Sequence, residues 1–545
     1  MNEPSPLQIE RLNYQPKRPE VLDDLVAIDI AHYSEPTGCV GDEEQVRSLF
    51  PHLFGRSLVR LQEGGRIERR PLRIGVVLSG GQAAGGHNVI AGLFDAIKEI
   101  HSESILFGFL GGPSGIIGGK YERITLDRLA HYRNQGGFDM IGAGRTKIET
   151  EDQLAASMHT CQTLELDGLV IVGGDDSNTN AALLAEYLTA HGQHTSVVGV
   201  PKTIDGDLKG DAVEISFGHD TACKVYAELI GNLMRDALSA KKYYHFVKLM
   251  GRSASHIALE CALQTHPNFT LLGEEVLEEG RTLAEITNMV ADLICERADR
   301  GKNYGVVLIP EGLVEFIPEM RLLIGELNGL LAKGGNPEEG LSPEARRCFS
   351  SLPKEIRAQL LNDRDPHGNV QVSHIATEQL LIQTVQEELE RRKGLGEYGG
   401  KFSPVAHFFG YEGRAALPSN FDATYCYSLG LVSALLVAGG LSGYMATLRH
   451  LCCPAEQWEP YAVPITSMLC MEKRKGKLKP VIEKSLVDLK GPAFTEFASR
   501  RGEWAVADVY RSPGPIQFFG DARLTDDVLL TLKLERAKTY SAAQG

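Results

Sequence analysis

From Leu72 onward the chain alternates two textures. Arg73-Ile74-Gly75-Val76-Val77-Leu78 is a short apolar run that ends in a glycine-rich turn, after which apolar residues fall at helical spacing through Ile97. Similar units recur at Gly168 to Tyr187, at Ser196 to Val200 and at Tyr304 to Pro310. Short β-branched runs bounded by glycine and alternating with helical stretches predict parallel strands joined by crossover helices. The fold class is therefore α/β, with two Rossmann-like parallel-sheet domains and a helical insertion.

The same pattern divides the chain. Residues 1–70 are rich in proline and charge, show little periodicity, and read as an N-terminal arm. Residues 71–240 read as a first α/β domain that 420–450 would complete, and 241–317, continued by 400–419, as a second. Between them, 318–399 reads as a mainly helical insertion, with Leu380 to Lys393 helical and charged on its faces. Residues 451–545 read as a C-terminal extension. With 545 residues, more than one core is expected.

Ala423 to Leu448 carries no charge and is long enough to cross a bilayer. Its glycines, Gly430, Gly439, Gly440 and Gly443, suit two tightly packed buried elements better, so no membrane partner is expected. The polar stretch Met1 to Lys17 lacks the apolar centre of a signal peptide, and the ten cysteines show no paired CxxC spacing. A reducing, cytoplasmic setting is expected. A formal net charge of −15 argues against a nucleic-acid surface, which needs clustered Lys and Arg. A small anionic substrate needs only local positive charge.

Ligands of parallel α/β sheets sit beyond the carboxyl ends of the strands, so the loops there hold the candidate chemistry. After the first run comes Ser79-Gly80-Gly81-Gln82-Ala83-Ala84-Gly85-Gly86. Such a turn lets backbone N–H groups approach an anion at a helix N-terminus, although many such turns bind nothing. It carries neither GxGxxG nor the Lys-Ser/Thr of a P-loop. Gly173-Gly174-Asp175-Asp176 follows the second run, and two adjacent carboxylates there either hold a hard cation such as Mg2+ or cap the helix. The third delivers Pro201-Lys202-Thr203-Ile204-Asp205-Gly206-Asp207, which is either an Asx-type turn or a base beside a cation. Met250-Gly251-Arg252, Ile309-Pro310-Glu311-Gly312 and Gly410-Tyr411-Glu412-Gly413-Arg414 add two arginines and two glutamates suited to a polyol phosphate.

In this order the motifs resemble the phosphofructokinase superfamily, specifically its long pyrophosphate-dependent branch, over about Leu72 to Leu448. The resemblance implies reversible phosphorylation of fructose 6-phosphate by pyrophosphate with Mg2+, in glycolysis or gluconeogenesis. It assigns Gly81 and Lys147 to pyrophosphate, Asp175 to the metal, and Asp205 to the base that takes the C1 hydroxyl proton. Thr203 and Ile204 would line the sugar site; Met250, Gly251, Arg252, Glu311, Tyr411, Glu412, Gly413 and Arg414 would bind the sugar phosphate. Lys242 and Tyr243 match residues that reach a neighbouring subunit's site, which implies a homodimer or larger oligomer.

ATP-using relatives carry glycine at the positions of Asp176 and Lys202. A carboxylate at Asp176 would fill and charge the place of a nucleotide's α-phosphate, while Lys202 would stabilise the leaving phosphate. Like charges about 4 Å apart cost roughly 4 kcal/mol at an effective dielectric of about 20, if unrelieved. The chain has TIDGD where many shorter relatives have TIDND, and Ala84 where plant-type relatives commonly have proline; neither change removes a charge. An ATP-dependent phosphofructokinase and a catalytically silent regulatory subunit are the alternatives; Asp176 and Lys202 argue against the first, and retention of Asp175, Asp176, Lys202 and Asp205 argues against the second. A nicotinamide-dependent dehydrogenase fits the fold class but lacks the dinucleotide fingerprint.

Overall fold

The computed structural model describes residues 4–331, 335–336, 340–364, 369–474, 477–516, 520–521 and 525–543. The backbone separates into two compact units. The first comprises Met1–Ala222, Arg414–Ser485 and Gln517–Gly545; the second comprises Cys223–Gly413 and Leu486–Ile516.

The first unit opens with β1 (Ile28–Pro36) and β2 (Ser57–Glu63), followed by β3 (Arg73–Ser79), β4 (Ile105–Phe109), β5 (Tyr121–Ile124), β6 (Ala143–Gly144), β7 (Gly168–Gly173) and β8 (Ser196–Pro201). The second unit holds β9 (Tyr244–Leu249), β10 (Phe269–Thr270), β11 (Gly305–Pro310) and β12 (Pro404–Phe409). The chain then returns to the first with β13 (Tyr444–Arg449), β14 (Glu459–Pro464) and a hairpin of β15 (Leu469–Arg474) and β16 (Lys477–Ile482).

Among the described residues, ten strands form the sheet of the first unit, in the order β1-β2-β14-β13-β8-β7-β3-β4-β5 with β6 beside β3. Its centre, β13-β8-β7-β3-β4, is parallel. β5 at one edge and β14, β2 and β1 at the other run antiparallel. In the second unit β10, β11, β9 and β12 are all parallel. Every residue of β7, β8, β9 and β11 is buried. Burial on both faces is what selects continuous apolar runs over alternation in such strands.

The uncharged stretch from Ala423 resolves into two elements, the helix Asn420–Ala438 and β13. This helix has the length and apolarity of a membrane span, but it is buried among protein. It packs against the helix Gly86–Ile100 through a glycine pair: a Cβ at Gly92 would lie 2.0 Å from the Tyr427 carbonyl oxygen, and one at Gly430 would lie 2.4 Å from that of Val89. The two backbones touch where a larger residue would separate them.

Two stretches are built into the sheets more deeply than their patterns predict. The first seventy residues, expected to form an arm, supply β1 and β2. The region beyond 450, expected to form an extension, supplies β14 to the first sheet and the helix Pro492–Ala507 to the second unit. There the fully buried Arg297 holds the Asp508 carboxylate, Nη2 to Oδ1 2.6 Å. The 318–399 region contains the helices Pro318–Leu331, Pro343–Ser351, Lys354–Asn362 and Thr377–Gly394.

Candidate active site

Three loops at the carboxyl ends of β3, β7 and β8 meet in the first unit. β3 passes into Gly80, whose φ of +88° suits a residue without a Cβ, and then Gly81. A Cβ at Gly80 would lie 3.2 Å from Lys202 Nζ; one at Gly81 would lie 3.2 Å from Arg414 Nη1 and 3.4 Å from Arg145 Nη2. Three cationic side chains thus surround a turn that presents bare backbone. Such a concavity suits a compact polyanion.

β8 ends at Pro201, and Lys202 is held at the centre by its N–H, which donates to the Gly173 carbonyl at 2.9 Å. Burial pulls its ammonium down to about 8, opposed by the nearby Asp205 and Asp175 carboxylates and aided by Arg145 and Arg414. An anion in the cradle would favour the charged form. The loop beyond is braced by its own side chains: the Asp205 N–H donates to Thr203 Oγ1 at 3.1 Å, and Ser216 Oγ donates to the Thr203 carbonyl at 2.9 Å. Ile204 is buried, its carbonyl 2.6 Å from His219 Nδ1. Asp205 is left partly accessible.

The third loop starts the helix Asp175–Ala190, placing Asp175 and Asp176 in its first turn, where the helix end favours negative charge. Asp176 is half exposed and lies 3.3 Å from Lys147 Nζ, which also reaches Glu149 at 3.6 Å. The Asp176 carboxylate is therefore partly neutralised, so its obstruction of a nucleotide would rest on volume more than on unrelieved charge. Asp175 lies beside Asp207, and Lys484 Nζ is 3.7 Å from an oxygen of each. Burial first, then the Asp205 carboxylate, push Asp207 up to about 7, against the pull of Lys484.

These two carboxylates around an ammonium are hard oxygen donors with a cation already between them. That donor set fits Mg2+, which takes one or two carboxylates and completes its shell with water and substrate phosphate. Among the described residues no group of three or more His, Cys, Asp or Glu side chains could hold a metal unaided.

In the second unit the motifs after β9, β11 and β12 also converge. The Met250 N–H donates to the Phe409 carbonyl, the Glu311 N–H to the Leu249 carbonyl, and the Gly251 N–H to Glu311 Oε2, each at 2.9 Å. The Glu311 side chain is buried, whereas Arg252, Tyr411 and Glu412 are exposed. Gly413 closes this set against the Tyr226 ring. Arg414, predicted with it, instead belongs to the first unit beside Gly81. Lys242 and Tyr243 stand elsewhere again, a cation–π pair at 4.8 Å that precedes β9 while Met250 follows it. Six strand residues at about 3.3 Å each separate the two ends by roughly 20 Å.

The Phosphofructokinase family matches residues 73–437. The chain belongs to the phosphofructokinase family. It is 52% identical over 554 residues to the pyrophosphate–fructose 6-phosphate 1-phosphotransferase of Treponema pallidum, covering 97% of each chain. It is 54% identical over 499 residues to subunit beta 2 of the Arabidopsis thaliana enzyme of that name, covering 90% of this chain and 88% of that one. The crystal structure of the pyrophosphate-dependent phosphofructokinase from Nitrosospira multiformis shares the fold, with a TM-score of 0.53 at 16% identity over 84% of this chain and 96% of that one.

Within this phosphofructokinase fold, three charged groups near the loops after β3, β7 and β8 carry no role expected from the sequence. Arg145 follows the two-residue β6, and its setting in Gly142-Ala143-Gly144-Arg145-Thr146-Lys147 is a glycine-flanked basic pair that a search for anion loops could find. Asp207 was visible only as part of its motif. Lys484 lies beyond the family-matched residues, in a stretch with no local signal.

Proposed function

We propose that this chain transfers the terminal phosphoryl group of pyrophosphate to the C1 hydroxyl of fructose 6-phosphate, reversibly, giving fructose 1,6-bisphosphate and orthophosphate. The observation that carries this reading is the convergence of Lys202, Arg145 and Arg414 on the Gly80–Gly81 turn, with Asp205 three residues beyond Lys202. Phosphoryl transfer needs little covalent chemistry from a protein. It needs placed charge and a placed base.

The glycine turn, Lys202, Arg145, Arg414 and Lys147 receive pyrophosphate. Asp205 accepts the hydroxyl proton as the sugar oxygen attacks phosphorus; the new O–P bond forms, the P–O–P bond breaks, and orthophosphate leaves with its charge balanced by Lys202. Asp175 and Asp207 would hold Mg2+, which supplies charge neutralisation on the phosphate oxygens when bound. Asp176 occupies the space beyond the leaving phosphate that a nucleotide would require. Met250, Gly251, Arg252, Glu311 and the Tyr411–Gly413 turn, with Thr203 and Ile204, bind the sugar phosphate.

Lys242 and Tyr243 complete the site of a second copy, so the active form is a homodimer or larger. Their placement at the far end of β9 from Met250 supports this. Mixing inactive Asp205→Ala protomers with inactive Lys242→Ala protomers should restore activity, because a hybrid contains one site without either lesion. No recovery from verified hybrids would count against a shared site. The reaction itself is tested by assaying fructose 6-phosphate phosphorylation with pyrophosphate and with ATP side by side. Stoichiometric fructose 1,6-bisphosphate and orthophosphate from pyrophosphate are expected, and failure to use pyrophosphate would refute the proposal.

A further inference from the structure

The Asp175 and Asp207 carboxylates follow different strands, and Lys484, whose ammonium lies 3.7 Å from each, comes from neither loop. Lys484 follows the β15–β16 hairpin, outside residues 73–437 that the family matches. Its place is set by its neighbours. The Ser485 N–H donates to the Asp207 carbonyl at 2.8 Å, and the Glu483 N–H donates to the Met468 carbonyl at 3.1 Å. On the hairpin itself, Lys479 Nζ binds Glu149 Oε2 at 2.5 Å, two residues from Lys147. The hairpin is thus pinned to two of the site's loops. Lys484, just beyond it, is delivered to the carboxylates by the bond from the Ser485 N–H to the Asp207 carbonyl.

An ammonium 3.7 Å from both carboxylates neutralises them where a divalent ion would do so. We propose that Lys484 is a positioning residue that stands in for the metal between Asp175 and Asp207 while the donor is absent. It weakens binding of the free ion, so the metal is taken up together with pyrophosphate. With the metal–pyrophosphate complex bound, the phosphate oxygens would supply extra negative charge, and the Lys484 ammonium would leave the carboxylates to face those oxygens. This rests on the proposed reaction, since it presumes a divalent metal bound through Asp175.

The test uses the full-length protein and Mn2+ alone, following free Mn2+ by electron paramagnetic resonance. In Lys484→Gln the Mn2+ dissociation constant without pyrophosphate should fall about tenfold or more, because one competing charge is gone. Lys484→Arg, which keeps the charge, should bind Mn2+ as the wild type does. With pyrophosphate present, the difference between wild type and Lys484→Gln should shrink, a pattern that a merely structural lysine would not produce. Unchanged or weaker Mn2+ binding in Lys484→Gln, with native thermal melting, would overturn the inference. If Lys484→Gln melts early, tighter Mn2+ binding by Lys484→Met in the same titration supports it and unchanged binding overturns it. Wild-type turnover with pyrophosphate, measured on the same samples, separates the two claims: turnover without the Mn2+ effect sinks only the role of Lys484, and no turnover sinks the proposed reaction and this inference with it.

Discussion

The loops of the first unit proposed to take the donor and those of the second proposed to take the sugar phosphate are built on the same plan, at the carboxyl ends of parallel strands, yet they use charge differently. In the first unit Lys202, Arg145, Arg414, Lys147 and Lys484 stand among Asp175, Asp176, Asp205 and Asp207, and the turn they surround is bare backbone. Charge there is dense and partly cancelled. In the second unit one buried carboxylate, Glu311, accepts the Gly251 N–H and fixes the loops, while the ionic groups Arg252 and Glu412 are left exposed. A pyrophosphate ion is nearly all charge, whereas a sugar phosphate is one charged group on a polyol. The two constructions suit the two substrates proposed for them.

The largest expected effect breaks the first half while sparing the second. Asp205→Ala should cut turnover by at least about 10²-fold and leave sugar phosphate affinity largely intact. Near-normal turnover in a folded variant would remove Asp205 from its role as base.

Two arginines sharpen the comparison directly. Arg414→Ala, next to Gly81, should raise KM for pyrophosphate about tenfold or more with a smaller change for fructose 6-phosphate, and Arg252→Ala should do the reverse. If Arg414→Ala affects chiefly the sugar, its assignment by motif to the sugar site is right and the donor assignment is wrong.

The smallest effect concerns the stability of the second unit. His245 Nδ1 lies 2.9 Å from His407 Nε2 on adjacent strands, with Asp236 3.9 Å from its other nitrogen. Burial, then the neighbouring imidazole, pull His245 down to about 4 against the Asp236 charge. A folded value below the unfolded one means that stability is fully present above about pH 6.5 and is lost as pH falls toward 4. His245→Asn should therefore show a fall in Tm between pH 7 and pH 5 that is smaller by about 2–4 °C than in wild type. Parallel Tm profiles would mean that this imidazole binds protons equally in the folded and unfolded states, so that burial does not lower its pKa.

What the chain's pattern shows and what it hides follow from the same division. β3, β7, β8 and β11 are apolar except for Arg73, Ser79 and Ser196 at strand ends, and their loops carry glycine, so strands and motif loops alike are legible. β9 is equally buried but contains His245 and Lys248, whose ammonium is satisfied by the Ile375 carbonyl at 3.0 Å and Glu378 at 3.3 Å. Buried polar residues with distant partners make a core strand look like surface. β1 and β2 lie toward an antiparallel edge, where β1 is largely exposed and β2 alternates buried with partly exposed residues, and β14 carries Pro460 and Pro464, so all three leave only a weak signal. Lys484 is hidden for a stronger reason: its meaning lies wholly in the carboxylates it meets, and these are remote in the chain.

The central claim is that this donor site is made for pyrophosphate, with Asp176 closing the room a nucleotide would need. The measurement that tests it most directly is the ratio of kcat/KM for pyrophosphate to that for ATP, compared across wild type, Asp176→Gly and the Asp176→Gly Lys202→Gly double variant. The account predicts a wild-type ratio far in favour of pyrophosphate. That ratio should fall in the single variant, as space opens for the α-phosphate, and fall further in the double variant, as the leaving phosphate loses its counter-charge. A wild type that prefers ATP, or a ratio unmoved by Asp176→Gly, would contradict it.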